Sequence, residues 1–308
     1  MNKLLYIIIA ITIYSTSIAI TLKKQHSTKK RKSFFSSRKI EKVDQRELSA
    51  HSITSLIINN NNGPITIRAG LKNSFFLKTT KRAKKQEYLD NLKVAINTNK
   101  EDELTIETKE INKKIAGTIE YELIVPASLN ITLNITGSGD AFIKGVDGAI
   151  NVITNDNIVI INSKQPVFLE TRKKGSILAM NSLGPITAIS QQGTITGKNI
   201  AHSFNAHSKT GKVIIACKTI PVASAVNLET TSGNIMLALP LTTNAEIIGQ
   251  TNYGTITSDH YIMLKPYTTK LNSCAWSRFK KEVDGTIGSG QATIALRSMK
   301  GNLKITEI

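Results

Sequence analysis

The stretch Gly184-Pro185-Ile186-Thr187-Ala188-Ile189-Ser190-Gln191-Gln192-Gly193-Thr194-Ile195-Thr196-Gly197 restarts on itself after nine residues. Followed in both directions, the turn position reads Gly139, Gly148, Asn157, Pro166, Gly175, Gly184, Gly193, His202 and Gly211, six glycines in nine places. A chain with 19 glycines among 308 residues does not set six of them in phase by chance. Two residues after the turn come Ala141, Ile150, Val159, Phe168, Ile177, Ile186, Ile195, Phe204 and Val213. Four residues after it come Ile143, Val152, Ile161, Glu170, Ala179, Ala188, Gly197, Ala206 and Ile215. Alternate residues of a strand share a face, so these two positions are expected to supply the interior. A turn-former followed by a short strand at fixed length marks a stacked β-solenoid. One strand and one turn fill the period, so two units should close a flat coil of about 18 residues with a two-sheet cross-section. The fold class is therefore all-β: a single-domain parallel β-helix spanning residues 51–308.

The segments before and after the regular repeat carry a looser version of it. Ser55–Asn59, Ile65–Arg68, Phe75–Thr79, Val94–Asn97, Leu104–Thr108 and Thr118–Val125 read as opening strands. In the last of these Ile119, Tyr121 and Leu123 alternate with Glu120 and Glu122, and the strand stops at Pro126. Gly233-Asn234-Ile235, Gly254-Thr255-Ile256 and Gly301-Asn302-Leu303 repeat the turn signature after Gly211. Residues 258–284 interrupt it and hold the single tryptophan, Trp276, with Cys274 and Lys280-Lys281. This excursion is expected to cap the apolar end of the last coil.

The N-terminus reads differently. Lys3 precedes the apolar run Leu4–Ile13, and Ser17-Ile18-Ala19 places small residues where a signal peptidase cuts. This predicts a signal peptide over residues 1–19. The cations Lys23, Lys24, Lys29, Lys30, Arg31 and Lys32 follow the run directly, a balance that leaves an uncleaved anchor over residues 4–22 as the alternative. Both place the protein at the cell envelope, whether in the periplasm, on the outer surface or held at the membrane. Residues 20–50 contain many cations, several serines and no apolar periodicity, and read as a largely disordered basic linker with a short helix near Arg38–Leu48. The six cations from Lys23 to Lys32 form a candidate surface for anionic lipid or another polyanion.

The whole chain carries a formal net charge of +18, which favours acidic partners. Arg172-Lys173-Lys174, Lys81–Lys85 and Lys280-Lys281 lack interleaved aromatics, which argues against specific nucleic-acid recognition. Cys217 and Cys274, the only cysteines, exclude a four-cysteine zinc site. An exported compartment permits a disulfide between them, while the apolar run Val213–Cys217 equally reads as burying Cys217 as a small hydrophobe.

Several of these motifs, taken in order, resemble a known family. Leu56-Ile57-Ile58-Asn59 is followed by Asn62-Gly63-Pro64-Ile65, and later by Val125-Pro126 and Gly137-Ser138-Gly139-Asp140. The run of Gly-x-Ile turns, Thr230-Thr231-Ser232-Gly233-Asn234-Ile235, Gly288-Ser289-Gly290 and Gly301-Asn302-Leu303 complete the set. From Leu56 to Ile308 the chain is similar to the DUF4097 β-strand-repeat family of bacterial adhesin-like domains, related to the DUF2807 head domain. The resemblance implies a right-handed parallel β-helix at the cell surface or in the periplasm, with no assigned catalytic residues.

Enzymatic β-helices also exist, so the acids need placing. A two-carboxylate glycosidase sets its acids about 5–10 Å apart. The phases of Asp140, Asp147 and Asp156 assemble no such pair, and Glu170 falls in an inward phase that calls for Arg172 as a partner or for a locally flipped strand. The histidines His26, His51, His202, His207 and His260 match no metal-ligand spacing. No phosphate-binding loop, dinucleotide fingerprint or nucleophile elbow is present. The expectation is a non-enzymatic envelope solenoid, adhesin-like or scaffolding, with a glycan or protein as surface ligand, without cofactor, metal or small-molecule substrate. A carbohydrate-active β-helix enzyme and a polyanion binder acting through the basic N-terminal segment are the alternatives.

Overall fold

Backbone pairing in the computed structural model turns the nine-residue period into two parallel sheets. The structure describes residues 39–49, 52–70, 74–100, 102–110, 117–266 and 281–308. The opening part comprises β1 (Ile40–Ser49), β2 (Ser55–Asn60), β3 (Ile65–Gly70), β4 (Ser74–Ala83), the short helix α1 (Gln86–Asn91), β5 (Leu92–Lys100), β6 (Glu103–Glu110), β7 (Gly117–Pro126) and β8 (Asn130–Ile135). The stack follows as β9 (Ala141–Lys144), β10 (Ile150–Thr154), β11 (Ile158–Ser163), β12 (Val167–Thr171), β13 (Ile177–Ser182), β14 (Ile186–Ser190), β15 (Ile195–Ile200), β16 (Phe204–Ser208), β17 (Val213–Cys217), β18 (Ala225–Thr230) and β19 (Ile235–Leu239). It closes with β20 (Ala245–Thr251), β21 (Ile256–Ser258), β22 (Met263–Leu264), β23 (Lys281–Ile287), β24 (Ala292–Ser298) and β25 (Leu303–Glu307).

From β8 to β19 successive strands alternate between the sheets. Sheet A runs β1-β4-β7-β3-β9-β11-β13-β15-β17-β19-β25-β21, and sheet B runs β22-β23-β20-β24-β18-β16-β14-β12-β10-β8-β2-β6-β5. Between them lies one continuous core of branched aliphatics, with Phe75, Tyr121 and Phe204 as its largest buried rings. Each buried branched side chain stabilises by roughly 1.5–3 kcal/mol. Gly197 occupies an inward position, where a side chain would press on Phe204, Ile200 and Ile215.

The coil length is not uniform. Ala141 pairs with Ile158 and Ile150 with Val167, 17 residues apart, whereas Ile158 pairs with Ile177 and Val167 with Ile186, 19 apart. From Ile177 onward the partners Ile195 and Val213 are 18 apart. The cause lies in two turns. Between β10 and β11 only residues 155–157 connect the strands, and between β12 and β13 residues 172–176 do. The first turn is one residue short of the 191–194 turn and the second is one long, so the phase slips and then recovers. A one-residue slip moves every side chain to the other face. Ile158, Ile160, Val167 and Leu169 are accordingly buried, and Val159, Ile161, Phe168 and Glu170, expected inside, face outward.

Five B-to-A turns are built from the same parts. The motif is Ser/Thr-x-x-Gly: Ser190 with Gly193, Ser208 with Gly211, Thr230 with Gly233, Thr251 with Gly254 and Ser298 with Gly301. In each, the glycine N–H donates to the hydroxyl at 2.8–3.0 Å. The hydroxyl donates in turn to a glycine carbonyl of the adjacent coil, as Ser190 does to Gly175 at 3.2 Å and Thr230 to Gly211 at 3.1 Å. A Cβ on Gly193 would overlap the carbonyl oxygen of Gly175, and one on Gly211 that of Gly193. The opposite corner uses asparagine instead. Asn162, Asn181 and Asn199 hold φ of 59°, 54° and 54°, and their amides stack, Asn181 donating to Asn162 and Asn199 to Asn181 at 2.9 Å. Asparagine tolerates this left-handed conformation better than other non-glycine residues.

Both ends of the stack depart from sequence order. The coil β2–β3 sits between β6–β7 and β8–β9, and the last coil, β24–β25, sits between β18–β19 and β20–β21. Residues Ile40–Ser49, expected as linker with a short helix, form strand β1, antiparallel to β4 over its whole length. Of the 258–284 excursion, β22 and the start of β23 are described. β23 pairs antiparallel with β20 and covers that edge of sheet B. Trp276, Cys274 and Lys280 lie outside the described residues, as do residues 1–38 with the leader and the cations Lys23 to Lys32. No helix among the described residues is long and apolar enough to cross a membrane.

Two substitutions separate the turn glycines from glycines in general. Gly193→Ala should lower the unfolding free energy by at least about 2 kcal/mol, because backbone lies where the methyl group must go. Gly249→Ala, whose methyl would meet its nearest atoms at 3.7 Å, should be neutral or stabilising by about 0.5–1 kcal/mol. Denaturant titration of both variants measures the contrast. By the same method Ser190→Ala should cost about 1–3 kcal/mol, since it strands the buried Gly193 N–H.

Candidate ligand-binding face

The outward side of sheet B is a set of residue rows that the parallel register holds in line. One row runs Thr132, Asn151, Phe168, Thr187, Asn205, Asn227 and Ala295. The other runs Asn134, Ile153, Glu170, Ile189, His207, Glu229, Arg297 and Gln250. Neighbours within a row are about 4.8 Å apart. Strand alternation alone turns these side chains outward, because Ile186, Ala188, Phe204, Ala206, Val226 and Leu228 occupy the inward positions.

Two shallow depressions mark this face. One, of about 230 Å³, is lined by residues of β14, β16, β18 and β24, including Thr187, Asn205, His207, Asn227, Glu229 and Arg297. The other, of about 360 Å³, lies around Asn151 and Phe168 and shares Thr187 with the first. Asn227 Nδ2 donates to Asn205 Oδ1 at 2.9 Å. That bond fixes both amide planes and leaves the Asn205 amide nitrogen and the Asn227 oxygen for a ligand. His207 Nδ1 lies 3.5 Å from Glu229 Oε2 with both side chains more than half exposed, so this pair adds little stability. Phe168 supplies an apolar ring beside the amides. The arrangement offers repeated donors and acceptors along a line, suited to a polymer of hydroxyl-bearing units.

Sheet A presents the opposite chemistry. Its outward row Phe142, Val159, Leu178, Thr196, Ile214 and Met236 is largely apolar, and Ile161 and Met180 stand in the next row between Lys144 and Lys198. The Arg68 guanidinium lies 5.9 Å from the centre of the Phe142 ring.

The acids weighed as catalytic candidates hold structural partners. Asp140 and Asp156 meet at one corner on adjacent coils, a juxtaposition the uniform period did not place. Asp156 Oδ2 accepts the Gly139 N–H at 2.9 Å, and Asp140 Oδ1 accepts both the backbone and side-chain N–H of Asn157 at 3.0 Å. The two carboxylates thus staple the short turn that lacks a glycine. Asp147 pairs with Lys164 at 2.8 Å, and Glu170 with Arg172 Nε at 3.0 Å on the flipped strand. His202 is an exposed turn residue whose Nδ1 accepts the Ser203 N–H, and His207 faces outward from β16. His260 is buried, with Nε2 3.3 Å from the Leu239 carbonyl. Among the described residues, no three His, Cys, Asp or Glu side chains converge where a metal ion could sit. Cys217 is fully buried at the end of β17, and burial pushes its thiol pKa up to about 12.

Sequence reasoning missed the amide row and Arg297. Outward positions were readable from the period of two, but Arg297 comes from the coil inserted out of sequence order. The cations Lys23, Lys24, Lys29, Lys30, Arg31 and Lys32 lie outside the described residues.

No family model matches the chain, and no curated protein does. The chain is similar to several solved structures, each at a TM-score below 0.5. A protein from Parabacteroides distasonis provisionally named as lipid-binding is 14% identical, with a TM-score of 0.44 over 86% of this chain and 96% of that one. A second protein from the same species, provisionally named as an adhesin, is 9% identical with a TM-score of 0.41 over 87% and 97%. Another so named, from Bacteroides fragilis, is 15% identical with a TM-score of 0.39 over 87% and 97%.

Proposed function

We propose that this protein is a non-enzymatic β-solenoid of the cell envelope that binds a surface glycan along the outward face of sheet B. The observation that carries this reading is the in-register row Asn151, Phe168, Thr187, Asn205 and Asn227, in which one hydrogen bond between side-chain amides orients two ligand-facing groups. A linear polysaccharide repeats its hydroxyls along its length, and a row of amides and hydroxyls meets them without a deep pocket. The aromatic ring adds an apolar surface for a sugar face. The resemblance to the DUF4097 adhesin-like domains agrees with this role. A leader over residues 1–19, or an anchor over 4–22, is the expected route to the envelope, and the basic stretch from Lys23 to Lys32 is proposed to add anionic-lipid attraction.

Binding to a glycan array tests the face. The double variant Asn205→Ala/Asn227→Ala should lose at least about tenfold in affinity for the best wild-type ligand, the scale of two hydrogen bonds. Both side chains are exposed, so its melting temperature should stay close to that of the wild type. Unchanged affinity in that variant would remove sheet B from consideration. Cell fractionation with N-terminal sequencing tests the export half: a mature chain starting near Ile20 in the envelope fraction is expected for cleavage, and an intact Met1 in the membrane fraction for an anchor.

A further inference from the structure

At the β1–β5 end of the stack, the inward side of the β1–β4 ribbon changes character along its length. Its register pairs are Leu48–Phe75, Arg46–Leu77, Asp44–Thr79, Lys42–Lys81 and Ile40–Ala83. Phe75 and Leu77 are buried and Leu48 packs on the core. Further along, two lysines stand directly opposite one another, a like-charge pairing that destabilises an antiparallel ribbon. The outward side of the same ribbon is matched. Arg82 bonds Glu41 at 2.9 Å and Glu120 at 2.6 Å, and Lys78 bonds Glu122 at 2.7 Å. Cations on one side of β4 thus have carboxylates, and Lys81 on the other side has a second lysine.

Across from this ribbon lies β5, the edge strand of sheet B. Lys93 and Val94 of β5 close a depression of about 320 Å³ with Lys42, Asp44, Arg46 and Lys81. Asp44 is the single acid in that lining, and it already bonds Arg46 Nε at 2.9 Å. Lys81 Nζ donates to the Leu92 carbonyl at 2.6 Å, which fixes the ammonium at the cleft wall. Burial pushes the Lys81 pKa down, Lys42 and then Lys93 push it further, and the nearby Asp44 offsets part of this.

We propose that this cleft is an oxyanion site in which Lys42, Arg46, Lys81 and Lys93 hold a phosphate or sulfate group between the edge strands of the two sheets. Lys81 is the positioned donor. Arg46 commits one N–H to Asp44 and presents its remaining N–H groups to oxygens, which suits the fork geometry of oxyanion recognition. Lys42 and Lys93 are exposed and close over the charge. The excess of positive charge favours a dianion over a single carboxylate. The site lies on the inner side of the stack end, away from the outward face of sheet B, and does not rest on the glycan reading.

Thermal unfolding of the full chain tests it, with inorganic phosphate or sulfate at about 5 mM, too dilute for a general salting-out effect. Chloride matched for ionic strength is the reference. Phosphate should raise the wild-type melting temperature by about 2 °C or more. Lys42→Glu places a carboxylate opposite Lys81, so this variant should melt above the wild type in chloride and lose most of the phosphate shift. Lys198→Glu, on the outward side of sheet A, should keep the shift. Vesicles of phosphatidic acid separate the two sources of the group. Vesicle binding weakened by Lys42→Glu but not by Lys198→Glu assigns a lipid headgroup, and vesicle binding equal in both variants assigns a free oxyanion. The proposal is overturned if phosphate and chloride act alike on the wild type. It is also overturned if the two variants lose the shift equally, or if Lys42→Glu melts below the wild type in chloride.

Discussion

The contact on which the rest of the structure depends is the seat of one turn glycine on the carbonyl of the glycine in the next coil. Parallel strands must rise by about 4.8 Å per coil, and at the B-to-A corner that spacing leaves no room for a Cβ. The nearby Ser or Thr hydroxyl then bridges the two coils, accepting from its own glycine N–H and donating to the glycine carbonyl of the adjacent coil. The series Gly175, Gly193, Gly211, Gly233, Gly301 and Gly254 records the stacking order in space, including the inserted last coil. Where glycine is missing, at Asp156, paired carboxylates reach across to backbone N–H groups and keep the corner closed.

Much of this was legible in the chain because the constraint repeats. Period nine gave the strands, and alternation gave the inward residues of β13 to β17 without error. The slip at β11 and β12 was harder to see. Asn157 and Pro166 preserve the spacing on paper, but the loss of one turn residue there and the gain of one at 172–176 shift two strands by a single residue. The burial of Ile158, Ile160, Val167 and Leu169 shows which way they turned, and Glu170 pairs with Arg172 outside the core. β1 was hidden for another reason. Ile40–Ser49 carries alternating charges suited to a solvent-exposed edge, and charge without apolar periodicity reads as linker. The order of coils was beyond local pattern altogether, since β2–β3 and β24–β25 are placed by partners distant in sequence.

The two sheets divide the surface chemically. Sheet B turns amides, hydroxyls and a few charges outward, sheet A mostly aliphatics, and the edge strands at the β5 end gather lysines where a core would otherwise begin. All three surfaces follow from register. A parallel ladder copies the same position from coil to coil, so one residue type used repeatedly becomes a line, and a line becomes a surface of one character. Individual residues such as Asn205 or Lys42 are ordinary when taken alone. Their neighbours across the ladder give them meaning.

The out-of-order coils bear on how such a stack comes apart and comes together. In a simple solenoid the chain termini are the outermost rungs, and unzipping can start there one rung at a time. Here the coils β2–β3 and β24–β25 are each held between two others, and of the outermost strands β5, β21 and β22 are internal segments tethered on both sides, while β1 leads the described chain. Loosening the β21–β22 end must therefore open a loop, whereas β1 can peel away from β4 alone. Assembly carries the reverse condition. A growing chain cannot simply add each rung to the one before it here, because the slot beside β18–β19 has to stay open until β24–β25 arrive. That end of the stack is thus completed only when β24–β25 fill the slot between β18–β19 and β20–β21.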